Sequence, residues 1–283
     1  MTNKIYIANT GRCGSSFIAY ALGQSSKIFG AHQPKVNTHP LMWNTADNVL
    51  HELGDLWLKD KNEFLSLTRD KVKKGSKLHK VLKMRDAYVN KYKNKIYAES
   101  ANNLFPLMNV YKEPGTKFIH LIREPVEWCK RNLPMYSPGT LPKRLDRNPS
   151  FVKGENDLEY MANIWLHINA MIDDISDANP DNWFVLKTSD FVKTPQQSFE
   201  AMYKFLDIPI PKVDYAALSK GSAKNVSKPN DTFKKRAVKN SHDKERKYGK
   251  HYTHLFENDN YITDITHGLW DKVNNKHKKQ YGK

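Results

Sequence analysis

The chain has 283 residues, of which 39% are hydrophobic and 11% aromatic, so it can build a substantial core, which argues against a disordered protein. Its 46 lysines and arginines against 30 acids give a net charge of +16, which favours anionic partners in general and selects no single function. With only two cysteines, Cys13 and Cys129, a disulfide framework and a structural zinc site are both disfavoured. No apolar segment reaches the length of a membrane span and none reads as a signal segment, so we expect a cytoplasmic protein.

Strand-like runs rich in Ile, Val, Phe and Tyr alternate with helical patterns along the chain. The runs predict strands at residues 4–8, 95–98, 117–122 and 183–187. Apolar residues recur at helical spacing from Phe17 to Leu22, from Leu158 to Ile172 and from Phe199 to Leu206. This alternation predicts an α/β fold, a doubly wound parallel sheet flanked by helices.

Two irregular regions interrupt this pattern. Residues 132–156 contain four prolines and two glycines and are predicted to form an excursion on the substrate side of an active site. Residues 219–250 are polar and basic, which predicts a loop or flap. Neither an internal repeat nor a long linker divides the chain, so we expect a single domain over 1–283.

The strongest local motif follows the first predicted strand and opens the first helix: Asn9-Thr10-Gly11-Arg12-Cys13-Gly14-Ser15-Ser16-Phe17. Its two glycines permit a tight turn that presents backbone N–H groups, and the helix start adds its own unpaired donors and the positive end of its dipole. Arg12 adds a positive charge, and Ser15 and Ser16 stand at the helix cap. The motif therefore predicts an anion site, the alternative being a glycine-rich turn with no ligand.

The motif does not match an ATP- or GTP-binding Walker loop. That loop requires a glycine, four residues and then Gly-Lys-Ser/Thr, whereas Asn9 and Ser15 hold the positions of the first glycine and the lysine here. A nucleotide kinase with a degenerate loop stays open as an alternative.

Residues 11–17 resemble the 5′-phosphosulfate loop of the sulfotransferases that use 3′-phosphoadenosine 5′-phosphosulfate (PAPS), commonly Arg-Ser-Gly-Thr/Ser-Thr/Ser. Cys13 replaces the usual serine, so a hydroxyl contact is lost although its amide remains. The resemblance implies a P-loop-like fold, PAPS as cofactor and no metal. It also implies that the cofactor is bound by Gly11, Arg12, Cys13, Gly14, Ser15, Ser16 and Phe17.

A second signature of that family is a strand that ends in Arg-Asp-Pro and binds the 3′-phosphate. Residues 118–125 resemble it, with Arg123 followed by Glu124 and Pro125. Eight residues after the arginine the family commonly has a serine, where this chain has Arg131. The resemblance implies that Arg123 and Arg131 bind the 3′-phosphate; alternatively, Arg123 is a surface charge at a strand end.

Later segments extend the resemblance over most of the chain, closest to the tyrosylprotein and glycan sulfotransferases. Residues 184–195 with 205–209 resemble the family's late strand–loop–helix block, and residues 280–282 resemble its usual ending. Residues 218–230 resemble the serine and Lys-Pro loop that closes over PAPS, which implies cofactor contacts from Ser222 and Lys228.

Sulfuryl transfer to an acceptor hydroxyl needs a base within hydrogen-bond reach of that hydroxyl. His32 stands where related families carry a catalytic Glu or His, so the resemblance implies that it is the base. Glu99, at the end of a predicted strand, is the competing candidate, or it orients Arg12 or the acceptor. Arg12 is the third catalytic candidate, because its charge would stabilise the leaving phosphate.

The acceptor is not encoded in a recognisable motif. Residues 42–67 and 132–156 are predicted to shape its pocket, and a glycan, a tyrosine, a lipid and a small alcohol all stay open, with an acidic acceptor compatible with the positive charge. A non-enzymatic nucleic-acid-binding protein is the alternative from a different class. It is disfavoured because no recognised binding module is present and the basic residues form no single stripe.

Overall fold

The computed structural model describes residues 2–32, 40–100, 105–141, 152–212, 248–249, 252–256 and 260–281. The described strands form one sheet in which every neighbouring pair is parallel. They are β1 (Lys4–Ala8), β2 (Ile28–His32), β3 (Ile96–Ser100), β4 (Thr116–Ile122) and β5 (Trp183–Lys187). Their order is β2-β3-β1-β4-β5, so the chain goes from β1 to the edge strand β2, returns to β3 beside β1, and then adds β4 and β5 on the other side of β1.

Helices connect the strands and cover the sheet. They are α1 (Ser15–Leu22), α2 (Pro40–Lys59), α3 (Lys61–Ser66), α4 (Lys77–Val89), α5 (Pro125–Asn132), α6 (Asp157–Asp177), α7 (Thr188–Lys193), α8 (Pro195–Leu206) and α9 (Asn260–Tyr281). The predicted α/β fold with a parallel, helix-flanked sheet is confirmed, and each of the four predicted strands is present. None of the described helices combines the length and the apolar character needed to cross a membrane.

The central strands are buried on both faces, which is why their sequences are almost continuously apolar. On one face Tyr203 of α8 donates a hydrogen bond from its hydroxyl to the carbonyl oxygen of Ala21 in α1, at 3.0 Å. On the other face His120 of β4 bonds Asn169 of α6 through Nε2 and Oδ1, at 3.0 Å. Because all five described strands are parallel, their carboxyl ends lie along one edge of the sheet.

The second strand was not predicted from the sequence, because Gly30 and Ala31 interrupt its apolar run. The structure explains the glycine. A Cβ atom at Gly30 would lie 2.1 Å from the carbonyl oxygen of Ala19, so α1 packs directly on the backbone of β2. Gly30 therefore interrupts the apolar run because α1 contacts the backbone of β2 at this residue.

The last helix, α9, is fastened to the sheet and to α6. Its lysines Lys272 and Lys276 both form ion pairs with Asp173 and Asp177 of α6. Gln280 lies beside β5: its Oε1 accepts a hydrogen bond from the Val185 amide at 2.7 Å, and its Nε2 donates to the Trp183 carbonyl at 2.9 Å.

The irregular regions are described in part. Residues 132–141 contain the end of α5 and a short 3-10 turn, Leu133–Met135, whereas 142–151 lie outside the described residues. Of the predicted flap at 219–250, all but residues 248–249 lie outside them as well. The segment 42–67, predicted only as part of an acceptor pocket, forms most of α2 and the whole of α3.

Candidate anion-binding site at the carboxyl edge of the sheet

The turn between β1 and α1 has a backbone that few residue types adopt. Gly11, Arg12 and Gly14 have φ angles of 82°, 48° and 87°, all in the left-handed region. The Asn9 side chain supports the turn, because its Oδ1 accepts a hydrogen bond from the Gly11 amide at 2.9 Å and its Nδ2 donates to the Ile7 carbonyl at 3.1 Å. Asn9 thus supplies by its side chain the local bond that stabilises the start of the loop.

The turn leaves a row of amide groups available to an anion. The amides of Phe17 and Ile18 donate to the Gly14 carbonyl, at 2.9 and 3.2 Å. Within the described part of the chain, no acceptor is bonded to the four preceding amides, those of Cys13, Gly14, Ser15 and Ser16. These donors stand at the positive end of α1, where an anion is stabilised both by hydrogen bonds and by the helix dipole.

Gly14 is required by packing as well as by its backbone conformation. A Cβ atom there would lie 2.6 Å from Cζ of Phe191, which is closer than carbon atoms approach. Phe191 in turn stacks on Phe17, with ring centroids 5.5 Å apart, and Phe17 also contacts Phe199. A side chain at position 14 would therefore collide with a ring of this aromatic cluster.

Two loop residues predicted to bind cofactor have other roles in the structure. Phe17 is buried in the aromatic cluster and its amide is bonded to Gly14, so it offers no group to a ligand. The Cys13 side chain is also buried, and its Sγ donates to the Gly11 carbonyl at 3.1 Å. Burial raises the pKa of the Cys13 thiol, so Cys13 offers only its amide to a ligand.

Residues from distant segments hold the carbonyl groups of the turn. The Trp128 indole of α5 donates to the Gly11 carbonyl at 2.9 Å. The Thr188 hydroxyl, at the start of α7, lies 2.9 Å from the Cys13 carbonyl and 3.1 Å from that of Ile122 at the end of β4. Since a hydroxyl has one proton, it donates to one of them at a time. The turn is thereby tied to the ends of β4 and β5.

The predicted second phosphate residue lies against the turn. Arg123, half-buried at the end of β4, donates from Nε to the Arg12 carbonyl at 3.1 Å. Its own carbonyl accepts a hydrogen bond from the Trp165 indole of α6 at 2.9 Å. Hydrogen bonds therefore hold both the side chain and the backbone carbonyl of Arg123, and its guanidinium lies at the edge of the turn.

Arg131 lies close enough to Arg123 for its charge to matter. Burial lowers the pKa of Arg123 and the positive charge of Arg131 lowers it further, whereas Cys13 and the Glu127 carboxylate act in the opposite direction. Arg131 is exposed in the last turn of α5 and forms no ion pair with any acid that the structure describes. Two guanidinium groups, of which Arg131 is in no ion pair with a described acid, are suited to a doubly charged anion.

The remaining loop cation and the acid of the second motif are also placed. Arg12 has an exposed side chain that contacts Met135 beyond α5 through Nη2 and Sδ. Glu124 caps α5 with its own carboxylate, which accepts from the amides of Val126 and Glu127 at 3.1 and 2.7 Å. Glu124 is therefore engaged in the protein, and the positive charges at this edge stay available.

The predicted base candidates lie on β2 and β3. His32 is the last residue of β2 and is in register with Ser100 of β3; its side chain lies outside the described atoms. Glu99 is fully buried, and its Oε2 accepts hydrogen bonds from the Tyr97 hydroxyl at 2.7 Å and from Nη2 of Arg85 in α4. The expectation that Glu99 orients Arg12 is wrong, because its partner is Arg85.

The Arg85–Glu99 pair is a buried charge pair. Burial opposes the charge of Arg85, but the Glu99 carboxylate and the tyrosines around it more than compensate and raise the pKa of Arg85. Two neighbouring polar atoms, Glu99 Oε1 and Ser100 Oγ, are buried without a hydrogen-bond partner in the described structure. Ser222 and Lys228, predicted to close over the cofactor, lie outside the described residues.

Sequence reasoning missed the residues that hold the site together. Trp128, Trp165 and Thr188 contact carbonyl groups far away in sequence, and no periodicity or motif marks such contacts. A weak signal was available for Trp128 alone, because it lies in the helix that follows the Arg123 motif. In the described part of the chain, no three His, Cys, Asp or Glu side chains come together as a metal site requires.

Comparison with known proteins gives matches among solved structures. No protein-family model matches the chain, and no curated protein matches it. The chain is similar to a sulfotransferase domain from the curacin biosynthetic pathway, with 14% identity over 83% of this chain and 96% of that one and a TM-score of 0.49. It is also similar to a sulfotransferase domain of the Synechococcus PCC 7002 olefin synthase, with 14% identity, coverages of 85% and 94% and a TM-score of 0.44.

A sulfotransferase from Alicyclobacillus acidocaldarius is similar as well, with 17% identity, coverages of 81% and 87% and a TM-score of 0.42. All three are sulfotransferases, the family that the sequence motifs resemble. All three TM-scores are below 0.5.

Proposed function

We propose that this chain transfers a sulfuryl group from PAPS to the hydroxyl of an acceptor. The observation that carries the proposal is the pairing of two anion sites at one sheet edge. One is the row of amides from Cys13 to Ser16 at the start of α1, and the other is formed by Arg123 at the end of β4 together with Arg131 in the last turn of α5. A nucleotide with phosphate groups on both its 5′ and 3′ positions matches two such sites.

The residues present fit this donor. The amides of Cys13, Gly14, Ser15 and Ser16 are donors only, as the oxygens of a phosphosulfate require. Arg123 and Arg131 would hold the 3′-phosphate, and Arg12 adds charge beside the loop. Lys228 and Ser222 stay predictions from the sequence, as cofactor contacts from a loop that closes over the site.

PAPS supplies an activated sulfuryl group whose leaving group is the 5′-phosphate. The chain's own contribution is to position and to stabilise charge. With PAPS bound, the bond from sulfur to the 5′-phosphate oxygen would break as a bond to the acceptor oxygen forms. The amides and Arg12 stabilise the charge that develops on the phosphate oxygens, and Arg123 fixes the register of the nucleotide.

We assign the role of base to His32, which accepts the proton of the acceptor hydroxyl. A neutral imidazole has an ordinary pKa near 6.5 and takes up a proton at neutral pH. The competing candidate Glu99 is already bonded to Arg85 and Tyr97 and has no exposed surface, so it lacks access to an acceptor. This contrast between the two residues supports His32.

The alternatives fit the site less well. A kinase would need a lysine at the position of Ser15 to contact the transferred phosphate, and the described turn offers none. A purely nucleic-acid-binding protein gives no reason for a strained turn with four oriented amides at a helix start.

Thermal shift with three nucleotides tests the proposed donor. Adenosine 3′,5′-bisphosphate, the product nucleotide, should raise the melting temperature strongly, whereas AMP and ATP should raise it little. If AMP raised the melting temperature equally, the proposed 3′-phosphate site would be wrong. Stronger stabilisation by ATP in the presence of Mg²⁺ would favour the kinase.

Single-turnover kinetics test the base. His32→Ala should lower turnover by about 10²–10⁴ while the affinity for adenosine 3′,5′-bisphosphate stays unchanged, and the acidic limb of its rate profile should disappear. Glu99→Gln, compared per folded molecule, should be milder. The reverse order would transfer the role to Glu99.

A further inference from the structure

Two methionine side chains in the described part of the chain are open to solvent, and one of them contacts the turn between β1 and α1. Met84 on α4 is 40% exposed, and Met135 is partly exposed beyond the end of α5. A buried thioether is shielded from reagents in water. The other methionines whose side chains the structure describes are buried in this way, namely Met108, Met161, Met171 and Met202.

The backbone at Met135 is held in place by a tight turn. Met135 ends the 3-10 turn that follows α5, in which Leu133 and Pro134 are buried. The Tyr136 amide closes this turn by donating to the Leu133 carbonyl at 3.0 Å. Proline fixes its own φ angle, which restricts the turn further. The Met135 side chain therefore starts from a constant position next to α5.

The Met135 sulfur contacts the cation of the turn between β1 and α1. Nη2 of Arg12 donates to Sδ of Met135 at 2.7 Å. The Arg12 backbone is held separately, because its carbonyl accepts a hydrogen bond from Nε of Arg123 at 3.1 Å. An anion at the turn would therefore be met by movement of the Arg12 side chain, which is the part of Arg12 that contacts Met135.

The thioether is a weak partner for the Arg12 guanidinium. Its sulfur is a weak hydrogen-bond acceptor, whereas a guanidinium forms short and strong hydrogen bonds with phosphate oxygens. A phosphate bound by the amides at the start of α1 would draw Arg12 away from Met135. The contact with Met135 thus defines a resting position of Arg12 that a ligand can release.

Oxidation of the sulfur would make this resting position harder to leave. A methionine sulfoxide carries a polar S=O group in place of the apolar thioether. Its oxygen is a strong acceptor, so next to Arg12 it would compete with a phosphate for the same N–H groups. The net charge of the chain would not change.

We propose that Met135 is an oxidation site at which a hydroperoxide slows sulfuryl transfer by holding Arg12 away from the leaving 5′-phosphate. The inference rests on the proposed function for the role of Arg12. A lone pair of Sδ attacks the outer oxygen of the peroxide, and the S–O bond forms as the O–O bond breaks. Sulfur loses two electrons to the departing oxygen, which takes up the proton of the outer oxygen and leaves as an alcohol, or as water from hydrogen peroxide.

The two cysteines do not provide the same sensitivity. Cys13 and Cys129 are both buried, and burial raises the pKa of each thiol. Peroxides oxidise the thiolate, which a buried thiol of raised pKa rarely forms at neutral pH. Methionine sulfoxide is reduced again by methionine sulfoxide reductases, so the proposed effect on Arg12 is reversible.

The test treats three proteins with hydrogen peroxide: the wild type, Met135→Leu and the matched control Met84→Leu. Leucine keeps the volume of methionine and has no sulfur to oxidise. Peptide mass spectrometry follows oxidation at both positions. Turnover and the affinity for adenosine 3′,5′-bisphosphate are measured before treatment, after it and after repair by the reductases. A second arm compares the methyl resonances of ¹³C-labelled methionine in oxidised wild type and oxidised Arg12→Ala.

We expect treatment to lower the turnover and the nucleotide affinity of the wild type and of Met84→Leu by about fivefold, as one added hydrogen bond to Arg12 would. Met135→Leu should change by less than about twofold, and the reductases should restore the wild type. In the second arm, Arg12→Ala should shift the methyl resonance of the Met135 sulfoxide and leave that of Met84 in place.

Equal losses in wild type and Met135→Leu would overturn the inference, because another oxidised group would then be responsible. Unchanged turnover and nucleotide affinity in wild type with oxidised Met135 would overturn it too, as would resistance of Met135 to the peroxide. If the untreated wild type neither binds adenosine 3′,5′-bisphosphate nor transfers sulfate, the proposed function fails. The resonance arm needs no donor, and an unshifted Met135 signal would by itself reject the contact between the sulfoxide and Arg12.

Discussion

The two halves of the carboxyl edge of the sheet are stabilised in different ways. At β1, β4 and β5, neutral donors hold the backbone: the Trp128 and Trp165 indoles and the Thr188 hydroxyl bond carbonyl groups of the turn and its neighbours. At β2 and β3, a buried charge pair of Arg85 and Glu99 connects the strand to its helix. The first half thus keeps its arginines available to a ligand. In the second half, the charges of Arg85 and Glu99 pair with each other inside the protein.

The difference follows from the chemistry that each half is proposed to serve. A neutral hydrogen bond fixes a backbone group without adding a counter-charge, and Arg131 forms no ion pair with any acid that the structure describes. A buried ion pair leaves no net charge near an acceptor, and the charge on that side lies outside, on the lysines of α4.

The largest expected effect comes from breaking the charge pair. Glu99→Gln leaves Arg85 charged and buried without its partner, so the free energy of unfolding should fall by about 3–5 kcal/mol in urea denaturation. The double variant Arg85→Met/Glu99→Leu, of similar volume, should recover most of that loss. Wild-type stability in Glu99→Gln would show that Arg85 is held by other groups.

At the half of the edge formed by β1, β4 and β5, a loss of similar size is expected in the free energy of nucleotide binding. Arg123→Ala should weaken the binding of adenosine 3′,5′-bisphosphate by about 2–5 kcal/mol in calorimetry. The binding of AMP should stay nearly unchanged, because the lost charge is proposed to face the 3′-phosphate. Arg131→Ala should have the smaller effect, since Arg131 is exposed. An unchanged affinity in Arg123→Ala would make that residue structural.

The free energy of unfolding should fall in acid because of His120, a buried residue of β4. Burial lowers the pKa of His120 to about 4, against an ordinary value near 6.5, and Asn169, Asp173 and Lys276 are the polar groups that act on it. Between these values the unfolded chain binds a proton that the folded chain does not, so stability falls as the pH falls from about 6.5 to 4. The integrated effect is about 3 kcal/mol, and it is absent above pH 6.5.

The comparison of wild type with His120→Gln isolates this contribution. The difference between their unfolding free energies should change over that pH range, with the wild type losing more stability towards acid. Parallel profiles would show that His120 titrates normally in the folded protein.

A smaller effect is expected from the turn itself. Gly14→Ala and Gly75→Ala both place a side chain at nearly the same positive φ, 87° and 85°, but only at Gly14 does the new Cβ meet another group. Gly14→Ala should therefore be less stable than Gly75→Ala by about 2 kcal/mol. It should also lose nucleotide binding. Equal losses would mean that Phe191 moves aside without cost.

The smallest effect is expected at the indole that holds Arg123. Trp165→Phe keeps a ring in place and removes the N–H that donates to the Arg123 carbonyl, at a cost of about 1 kcal/mol. Its preference for adenosine 3′,5′-bisphosphate over AMP should narrow as well. Trp57→Phe, which removes an indole bond to Asp174 away from the turn, serves as the control and should leave that preference intact.

Local patterns were sufficient to predict most of the sheet and the turn. The strands β1, β3, β4 and β5 each contain a buried apolar run because both faces of the sheet are covered, and such runs can be recognised in a single sequence. The turn was predictable because Gly11 and Gly14 occupy positions whose backbone conformation only a few residue types adopt. β2 was missed because Gly30 serves a contact with α1 that its own segment does not reveal.

The contacts within the site depend on the fold and were not predictable. Glu99 was read as a candidate base because it ends a strand, and only the packing of α4 shows its partner to be Arg85, one of many basic residues in that segment. Likewise, Phe17 follows the turn in sequence but faces Phe191 and Phe199 in space. A motif identifies which residues surround a ligand, whereas tertiary contacts decide which of them reach it.

The contact of Gln280 with β5 has a consequence for how the chain avoids self-association. Its side-chain amide donates to one backbone group and accepts from another two residues along, which is how a neighbouring strand would pair with this outermost strand of the described sheet. A bare strand edge is a template for strand addition by a second chain. Detachment of α9 during partial unfolding would uncover that template, so aggregation should begin when the ion pairs of Lys272 and Lys276 open, well before the core of the sheet melts.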